Sequence, residues 1–215
     1  MRFLIVGAGG IGAYYGARLI EAGHRVVFVA RGEHLRAMGE QGLRVSHPEF
    51  EFAGPVEALD QARLIGTYGA GDFDLILLTV KAGATESVMA FLHDWLAAAA
   101  TPVLSLQNGV ENESIIESHV GRDRTIGGLA VRIGGHITQP GCIEATGVAQ
   151  VVMGVRNTFS STGPRKALPW RMNIAVALAS PVVIVVFSRL SKPASEELSV
   201  PPVAVTTYSF PSLGR

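Results

Sequence analysis

The sequence predicts a doubly wound α/β fold, in which helices cover both faces of a mostly parallel sheet. Short apolar strand signals alternate with helix signals between residues 2 and 119. A glycine-rich turn joins the first strand signal directly to the first helix signal. The strand signals Arg25–Ala30 and Asp74–Val80 are apolar on both faces, which is typical of strands in the middle of a parallel sheet.

The first half of this alternation begins with a strand at Arg2–Val6, which ends at Gly7. A helix follows over Ile11–Ala22, because its apolar residues recur at helical spacing and Gly23 is a helix stop signal. The elements predicted next are a strand at Arg25–Ala30, a helix at His34–Glu40, and short strands at Leu43–Ser46 and Glu51–Phe52.

The second half continues in the same alternation. Its predicted elements are the strand Asp74–Val80, a helix from about Thr85 to Ala99, the strand Pro102–Leu106 and the helix Glu111–His119. After Thr125 the pattern changes to short segments separated by glycines. We expect turns at Gly134-Gly135, Pro140-Gly141 and Gly147, and therefore antiparallel strands at the edge of the sheet.

The turn after the first strand reads Gly7-Ala8-Gly9-Gly10-Ile11-Gly12. In a Rossmann-type fold, Gly7 would permit the tight turn, Gly9 would let a pyrophosphate approach the backbone, and Gly12 would let the helix pack closely on the strand. The helix N-terminus adds free N–H groups and the positive end of the helix dipole. A tight turn that binds nothing is the alternative. Because strand, turn, helix and second strand follow in the right order, we predict that this six-residue loop binds a dinucleotide.

The end of the second predicted strand indicates which dinucleotide binds. NAD-binding folds usually carry Asp or Glu here for the ribose hydroxyls, whereas this strand is followed by Arg31, and the first acid is Glu33. A guanidinium suits the additional 2′-phosphate of NADP, which an acid would repel. The alternative is a solvated arginine on a surface turn. We therefore predict NADP(H) as the cofactor.

Two further polar residues follow strand signals. Lys81 comes directly after Asp74–Val80, and Asn108, in the pair Asn108-Gly109, follows Pro102–Leu106. Ligands of open α/β sheets bind outside the carboxyl ends of the strands, so both side chains are candidates for the cofactor site. The Asn108 carboxamide is also a candidate for binding the substrate. A solvated lysine and an ordinary Asn-Gly turn are the alternatives.

Composition and charge exclude several functional classes. The 18 basic residues balance the 18 acidic ones, so the chain has no electrostatic attraction for nucleic acid or an acidic membrane. The single cysteine, Cys142, cannot form an internal disulfide, and the six histidines, which we interpret as surface or turn residues, show no metal-ligand spacing. We expect a soluble, cytoplasmic protein with a small-molecule partner, no nucleic acid partner, no metal and no membrane anchor.

The composition changes near residue 155. Of the 25 glycines, 23 lie in residues 1–154, and residues 155–215 contain no aspartate. We therefore predict a dinucleotide-binding domain over 1–154 and a short divergent or truncated tail over 155–215. Asn173–Phe187 is strongly apolar, but Pro181 interrupts it, and it is shorter than the roughly 20 residues that a membrane helix needs. Two origins of the tail stay open, a frameshifted end of the reading frame and a divergent helical segment.

Four segments together resemble the ketopantoate reductase (2-dehydropantoate 2-reductase) family: FLIVGAGGIGAYYGARLIEAGHRVVFVARG, LLTVKA, LSLQNGVENE and GGHITQPGCIEATG. All four lie within residues 1–154. The resemblance implies NADPH-dependent reduction of 2-dehydropantoate, a 2-oxo acid, to pantoate in pantothenate biosynthesis. It implies that residues 7–12 and Arg31 bind the NADP phosphates, that Lys81 binds the cofactor, and that Asn108 contacts cofactor and substrate. It is also compatible with a homo-oligomer.

The resemblance does not assign the catalytic residue. The family's proton donor is a lysine in a Trp-x-Lys pattern at the start of a second, helical domain, whereas this tail reads Pro169-Trp170-Arg171. Arginine is a poor proton donor because its pKa lies above about 12, and Lys166 precedes Pro169 and does not match. Three interpretations follow: a reductase of this type impaired by its C-terminus, a non-catalytic NADP-binding remnant or sensor, and a related reductase of another 2-oxo acid.

Overall fold

The computed structural model of the chain describes residues 1–155 and 184–186. Within these residues ten strands form one continuous sheet. The strands are β1 (Arg2–Val6), β2 (Arg25–Val29), β3 (Leu43–His47), β4 (Phe50–Gly54), β5 (Glu57–Leu59), β6 (Leu75–Leu78), β7 (Val103–Ser105), β8 (Thr125–Gln139), β9 (Cys142–Val155) and β10 (Ile184–Val186).

Six α-helices connect the strands of this described part. They are α1 (Gly10–Glu21), α2 (Gly32–Gln41), α3 (Gln61–Thr67), α4 (Thr85–Phe91), α5 (His93–Ala97) and α6 (Asn112–Val120).

The parallel part of the sheet has the order β5-β2-β1-β6-β7-β8, with every neighbouring pair parallel. Among these six strands, β2 and β5 follow β1 outward on one side, and β6, β7 and β8 follow one another outward on the other side. The intervening strands β3 and β4, which come between β2 and β5 in the sequence, lie at the other end of the sheet. The strand order therefore reverses between β1 and β6, which is the place where doubly wound sheets open a ligand crevice at the carboxyl ends of their strands. The predicted doubly wound fold is confirmed.

The two faces of the sheet bury two separate apolar layers. On β1, Phe3 and Ile5 belong to one layer, which includes α1, and Leu4 and Val6 belong to the other, which includes α4, α5 and α6. All four side chains are at most 1% exposed. Because successive side chains of a strand point to opposite faces, a strand with both faces covered must be apolar throughout, as the β1 sequence is.

A long antiparallel hairpin, β8–β9, extends the parallel sheet, and Pro140-Gly141 forms its turn. The predicted antiparallel strands are thus confirmed, but they are not outermost. Along the first half of β9 the strand β3 pairs in parallel, and β4 pairs antiparallel to β3 at the edge; β10 pairs with the second half of β9. Helix α1 consequently lies between the parallel part of the sheet and the hairpin, and it contacts strands of both.

The turns predicted at Gly134-Gly135 and Gly147 are wrong, because these glycines lie inside β8 and β9. Gly135 packs closely against Gly10: a Cβ at Gly135 would lie 3.0 Å from the Gly10 carbonyl carbon, and a Cβ at Gly10 would lie 2.1 Å from the Gly135 carbonyl carbon. Gly147 has φ +105° and pairs with Ile133 where the register shifts, so it belongs to a β-bulge. The sequence marks both positions as glycine but does not distinguish a turn from a close approach.

Most predicted elements before the hairpin agree with the structure to within two or three residues at each end. The exceptions are β5 and α3, which were not predicted, and the helix expected over 85–99, which Leu92 divides into α4 and α5. β5 has only three residues, too few to show a strand period. Asp60 caps α3 by accepting a hydrogen bond from the Arg63 N–H at 2.7 Å, and this Asp is the sequence signal that could have revealed α3.

The predictions for Pro169–Asn173 and for the tail's origin lie outside the described residues. Asn173–Phe187 is described only at Ile184–Val186, a short strand. None of the helices in 1–155 is long and apolar enough to cross a membrane.

Replacing Gly16 by alanine tests the close packing of α1 on the sheet. A Cβ at Gly16 would lie 2.2 Å from Cε1 of Phe28, a ring that is fully buried and has no room to retreat. We expect Gly16→Ala to lower the free energy of unfolding by about 1–3 kcal/mol, measured by urea denaturation.

Gly39→Ala in α2 is the matched control, because no atom lies within 4 Å of its Cβ position. That variant should raise the free energy of unfolding by up to about 1 kcal/mol through helix propensity. Equal stability of Gly16→Ala and Gly39→Ala would contradict the packing argument.

Candidate functional site: a glycine-rich loop at the strand-order reversal

The glycine-rich loop is fixed to the ends of two strands. The backbone N–H groups of Gly7 and Ala8 both donate to the Val29 carbonyl of β2, each at 3.1 Å. Gly7 has φ +109°, and a Cβ there would lie 2.8 Å from the backbone nitrogen of Val80. Position 7 therefore requires glycine for its backbone conformation and for its lack of a side chain.

The other two motif glycines differ in their surroundings. A Cβ at Gly12 would lie 2.1 Å from the Gly7 carbonyl oxygen, whereas a Cβ at Gly9 would meet no atom within 4 Å. Gly12 thus allows the first turn of α1 to sit against the loop. Gly9 leaves open space above the backbone at the β1–β6 reversal, where a side chain would otherwise project.

The open space lies at the N-terminus of α1. This helix begins at Gly10, with Gly9 as its N-cap. Its first backbone hydrogen bond between residues four apart runs from the Ala13 N–H to the Gly9 carbonyl at 2.8 Å. Within the described residues no side chain caps this end, and its first turn contains no acid. The first-turn N–H groups and the positive end of the helix dipole are therefore available to an anion.

Thr79, directly after β6, supports the loop from below. Its hydroxyl donates to the Gly7 carbonyl at 2.7 Å and lies 3.2 Å from the Val6 carbonyl. This hydrogen bond crosses from β6 to β1 at the point of reversal, so it couples the loop to the neighbouring strand. Sequence analysis did not single out Thr79.

His34 supports the loop from the opposite side. One ring nitrogen, Nε2, lies 2.8 Å from the Ala8 carbonyl, and the other, Nδ1, lies 3.0 Å from the N–H of Gly141 in the hairpin turn. A carbonyl only accepts and an N–H only donates, so the neutral ring with its proton on Nε2 satisfies both. Burial lowers the pKa of His34 and favours this neutral form. The interpretation of all histidines as surface or turn residues is therefore wrong for half-buried His34, and also for buried His47.

Arg31 lies on the β2 side of the loop. It is the N-cap of α2, and its exposed guanidinium has no ion-pair partner among the described residues. The nearby acid Glu33 is held by Arg36, which donates to it at 2.7 and 3.0 Å and also to Glu40 at 2.8 Å. The Arg36 guanidinium keeps the pKa of the Glu33 carboxyl below its usual range. The negative charge of Glu33 is thereby compensated within α2.

Lys81 and Asn108 lie on the other side of the reversal, after β6 and β7. Both side chains are exposed, and neither has a hydrogen-bond partner among the described side chains. Gly109 has φ +125°, and a Cβ there would lie 3.9 Å from the Cβ of Ala82, so the loops that carry Lys81 and Asn108 meet. The structure thus brings Lys81 and Asn108 to neighbouring strand ends, with the glycine-rich loop between them and Arg31.

No metal centre accompanies this arrangement in the described part of the chain, where no group of three or more His, Cys, Asp and Glu side chains could hold an ion. The single cysteine, Cys142, is half-buried and its thiol is free. The chemistry available here is therefore that of N–H groups, guanidinium, ammonium and carboxamide, all of which suit an anionic, hydroxyl-rich ligand.

Comparison with known proteins finds similar sequences in the ketopantoate reductase family. The sequence profile of the family described as ketopantoate reductase PanE/ApbA matches residues 3–158. A 2-dehydropantoate 2-reductase of Pyrococcus horikoshii is 31% identical over 163 residues, which are 74% of this chain and 50% of that protein.

Two solved structures are similar as well. A PanE/ApbA family ketopantoate reductase from Ralstonia eutropha matches with a TM-score of 0.68 and 28% identity, over 86% of this chain and 56% of that one. A D-mandelate dehydrogenase bound to NADH and anilino(oxo)acetate matches with a TM-score of 0.64 and 25% identity, over 74% of this chain and 50% of that one. The chain spans about half the length of these proteins.

The His34 bridge predicts a pH dependence of stability. Because burial lowers the pKa of His34 in the folded protein, protonation costs more there than in the unfolded chain, whose histidines titrate near about 6.5. The stabilisation is complete above that pH and is lost as the pH falls below it. We expect His34→Gln, which does not titrate, to show a smaller decrease in the free energy of unfolding between pH 7.5 and 5, by urea denaturation at each pH.

His24→Gln is the control, since His24 packs against Phe3 and has no described contact with the loop. Burial and the N-terminal amine also lower the pKa of His24. The control should therefore lose only its own part of the pH dependence and keep the part that His34 causes. Identical pH slopes for wild type and His34→Gln would refute the bridge.

Proposed function

The chain belongs to the ketopantoate reductase PanE/ApbA family of oxidoreductases, and from this membership we propose that it binds NADPH and uses it to reduce 2-dehydropantoate to pantoate. The observation that carries the proposal is the open loop at the strand-order reversal, with Arg31 on one side and Lys81 and Asn108 on the other. The proposed dinucleotide-binding unit is residues 1–154.

The loop fits a pyrophosphate. Space is open above Gly9 and the first turn of α1 is uncapped, so phosphate oxygens can approach backbone N–H groups of residues 7–12 without displacing a side chain. The loop is also held by Val29, Thr79 and His34, and does not need to reorganise when the ligand binds. We therefore assign Gly7, Ala8, Gly9, Gly10, Ile11 and Gly12 to the pyrophosphate.

Arg31 supports NADPH over NADH. It follows β2, on the side of the sheet where the adenosine ribose of a dinucleotide lies, and its guanidinium is exposed. Glu33 would compete for it or repel a 2′-phosphate, but Arg36 neutralises that carboxylate. The D-mandelate dehydrogenase that binds NADH shows that a protein of similar fold uses the other dinucleotide, so the choice rests on Arg31.

Lys81 and Asn108 would hold the nicotinamide side, because they follow β6 and β7 beyond the reversal. When bound, NADPH supplies the hydride for reduction of the ketone. The Lys81 ammonium can donate to ribose or phosphate oxygens, and the Asn108 carboxamide can both donate and accept, which allows it to orient the nicotinamide ribose and the substrate oxygen. A proton donor is not assigned.

One observation favours a related substrate. The similar D-mandelate dehydrogenase was solved with anilino(oxo)acetate, a 2-oxo acid derivative other than 2-dehydropantoate. Reduction of another 2-oxo acid is therefore one competing function. A second is binding of NADPH without turnover. The cytoplasmic location and a homo-oligomeric state stay predictions.

Turnover discriminates these functions. With the purified full chain, we expect NADPH oxidation, followed at 340 nm, to be faster with 2-dehydropantoate than with any member of a panel of other 2-oxo acids. Preference for another acid would favour the related reductase. Binding of NADPH with no oxidation by any acid would favour the non-catalytic protein.

Arg31→Ala tests the choice of nucleotide. Loss of charge-assisted hydrogen bonds to the 2′-phosphate should weaken NADPH binding by about 10- to 100-fold and leave NADH binding within about twofold, by calorimetric titration. Arg25→Ala is the matched control, because Arg25 is also exposed but lies at the amino end of the same strand, away from the proposed site. An equal effect of Arg31→Ala on NADPH and NADH would contradict the assignment.

A further inference from the structure

Three buried polar side chains lie at the ends of the loops that carry Lys81 and Asn108. Gln107 is 4% exposed, Asn112 2% and Thr85 0%. The Gln107 amide nitrogen Nε2 donates to the Val80 carbonyl at 2.7 Å and to the Thr85 hydroxyl at 2.8 Å. Thr85 donates in turn to Asn112 Oδ1 at 3.0 Å, and Asn112 Nδ2 donates to the Asn108 carbonyl at 3.1 Å.

This chain of hydrogen bonds has a defined direction. The carbonyl oxygens of Val80 and Asn108, at its two ends, can only accept. The Gln107 amide must therefore turn its NH2 toward Val80, and the Asn112 amide must turn its NH2 toward Asn108. Thr85 in the middle accepts from Gln107 and donates its only proton to Asn112, so each side chain fits in one orientation only.

The network brackets both functional loops. The first loop, residues 81–84, lies between Val80, after β6, and Thr85, the first residue of α4. The second loop, residues 108–111, lies between Gln107, after β7, and Asn112, the first residue of α6. Each exposed loop is thus anchored at both ends to the same buried group of side chains. A displacement of one loop must be transmitted to the other or must break a hydrogen bond.

One half of the Gln107 amide is hydrogen-bonded and the other half is not. Its carbonyl oxygen Oε1 is buried and has no hydrogen-bond partner among the described residues. A buried acceptor without a donor is unfavourable, and a methionine of similar shape would avoid that penalty. The stabilising contribution of the amide therefore comes from its NH2 group, which holds the Val80 carbonyl directly before Lys81 and the Thr85 hydroxyl.

We propose that Gln107, Thr85 and Asn112 are positioning residues that fix Lys81 and Asn108 relative to each other, and thereby set the binding of the nicotinamide half of the dinucleotide. This inference rests on the proposed function. It does not involve Arg31, which lies beyond β1 on the other side of the reversal. Loss of the network should consequently affect the nicotinamide half of NADPH and spare the adenosine half.

Gln107→Met and Thr85→Val test the proposal in the full chain. Both variants keep the approximate side-chain shape and remove the hydrogen bonds. We expect each to weaken NADPH binding by about tenfold or more, and to reduce the fluorescence change of the bound nicotinamide. Binding of adenosine 2′,5′-bisphosphate, which has the 2′-phosphate but no nicotinamide, should stay within about twofold of wild type by calorimetry.

Thr85→Ser is the matched control, because it restores the hydroxyl in a smaller side chain. It should recover NADPH affinity to within about threefold of wild type. Unchanged NADPH binding in Gln107→Met and Thr85→Val would overturn the proposal. Parallel loss of NADPH and adenosine bisphosphate, or loss of folding in both variants, would also overturn it, because the network would then serve the fold in general. Failure of wild type to bind NADPH would instead refute the proposed function.

Discussion

The close approach of the glycine-rich loop to the ends of β1, β2 and β6 is the constraint on which the rest of the site depends. A Cβ at Gly12 would lie 2.1 Å from the Gly7 carbonyl, and a Cβ at Gly7 would lie 2.8 Å from the Val80 backbone. Only residues without side chains allow the loop, α1 and β6 to meet at these distances. Hydrogen bonds from Thr79 and His34 then fix the loop in place, so its backbone N–H groups are oriented before a ligand arrives.

The same packing links the site to the β8–β9 hairpin. Gly10 lies against Gly135 of β8, and His34 joins the Ala8 carbonyl to the Gly141 N–H in the hairpin turn. The loop is therefore held on one side by the parallel strands and on the other by the hairpin. The hairpin extends the sheet and also completes the support of the proposed pyrophosphate site.

The proposed dinucleotide would span three strand ends that differ in chemistry. Arg31 after β2 offers a guanidinium, the loop after β1 offers N–H groups, and Lys81 and Asn108 after β6 and β7 offer an ammonium and a carboxamide. The first two sites depend mainly on charge and backbone geometry. In our proposal the third depends on the buried Gln107–Thr85–Asn112 network, which is hydrogen-bonded at the ends of both exposed loops.

The sequence by itself determined the doubly wound fold and most of its elements, because apolar runs such as Arg2–Val6 and the glycine pattern 7–12 are local signals. It also indicated Arg31, Lys81 and Asn108 as candidate binding residues, because each comes within a few residues of the end of a strand that can be recognised from local sequence. Only the tertiary structure showed that Gly135 is a packing position, and that Thr79, His34 and Gln107 support the site. Their partners are 22 to 107 residues away in the chain, and a hydrogen bond between such distant residues leaves no periodic or local pattern from which it could be predicted.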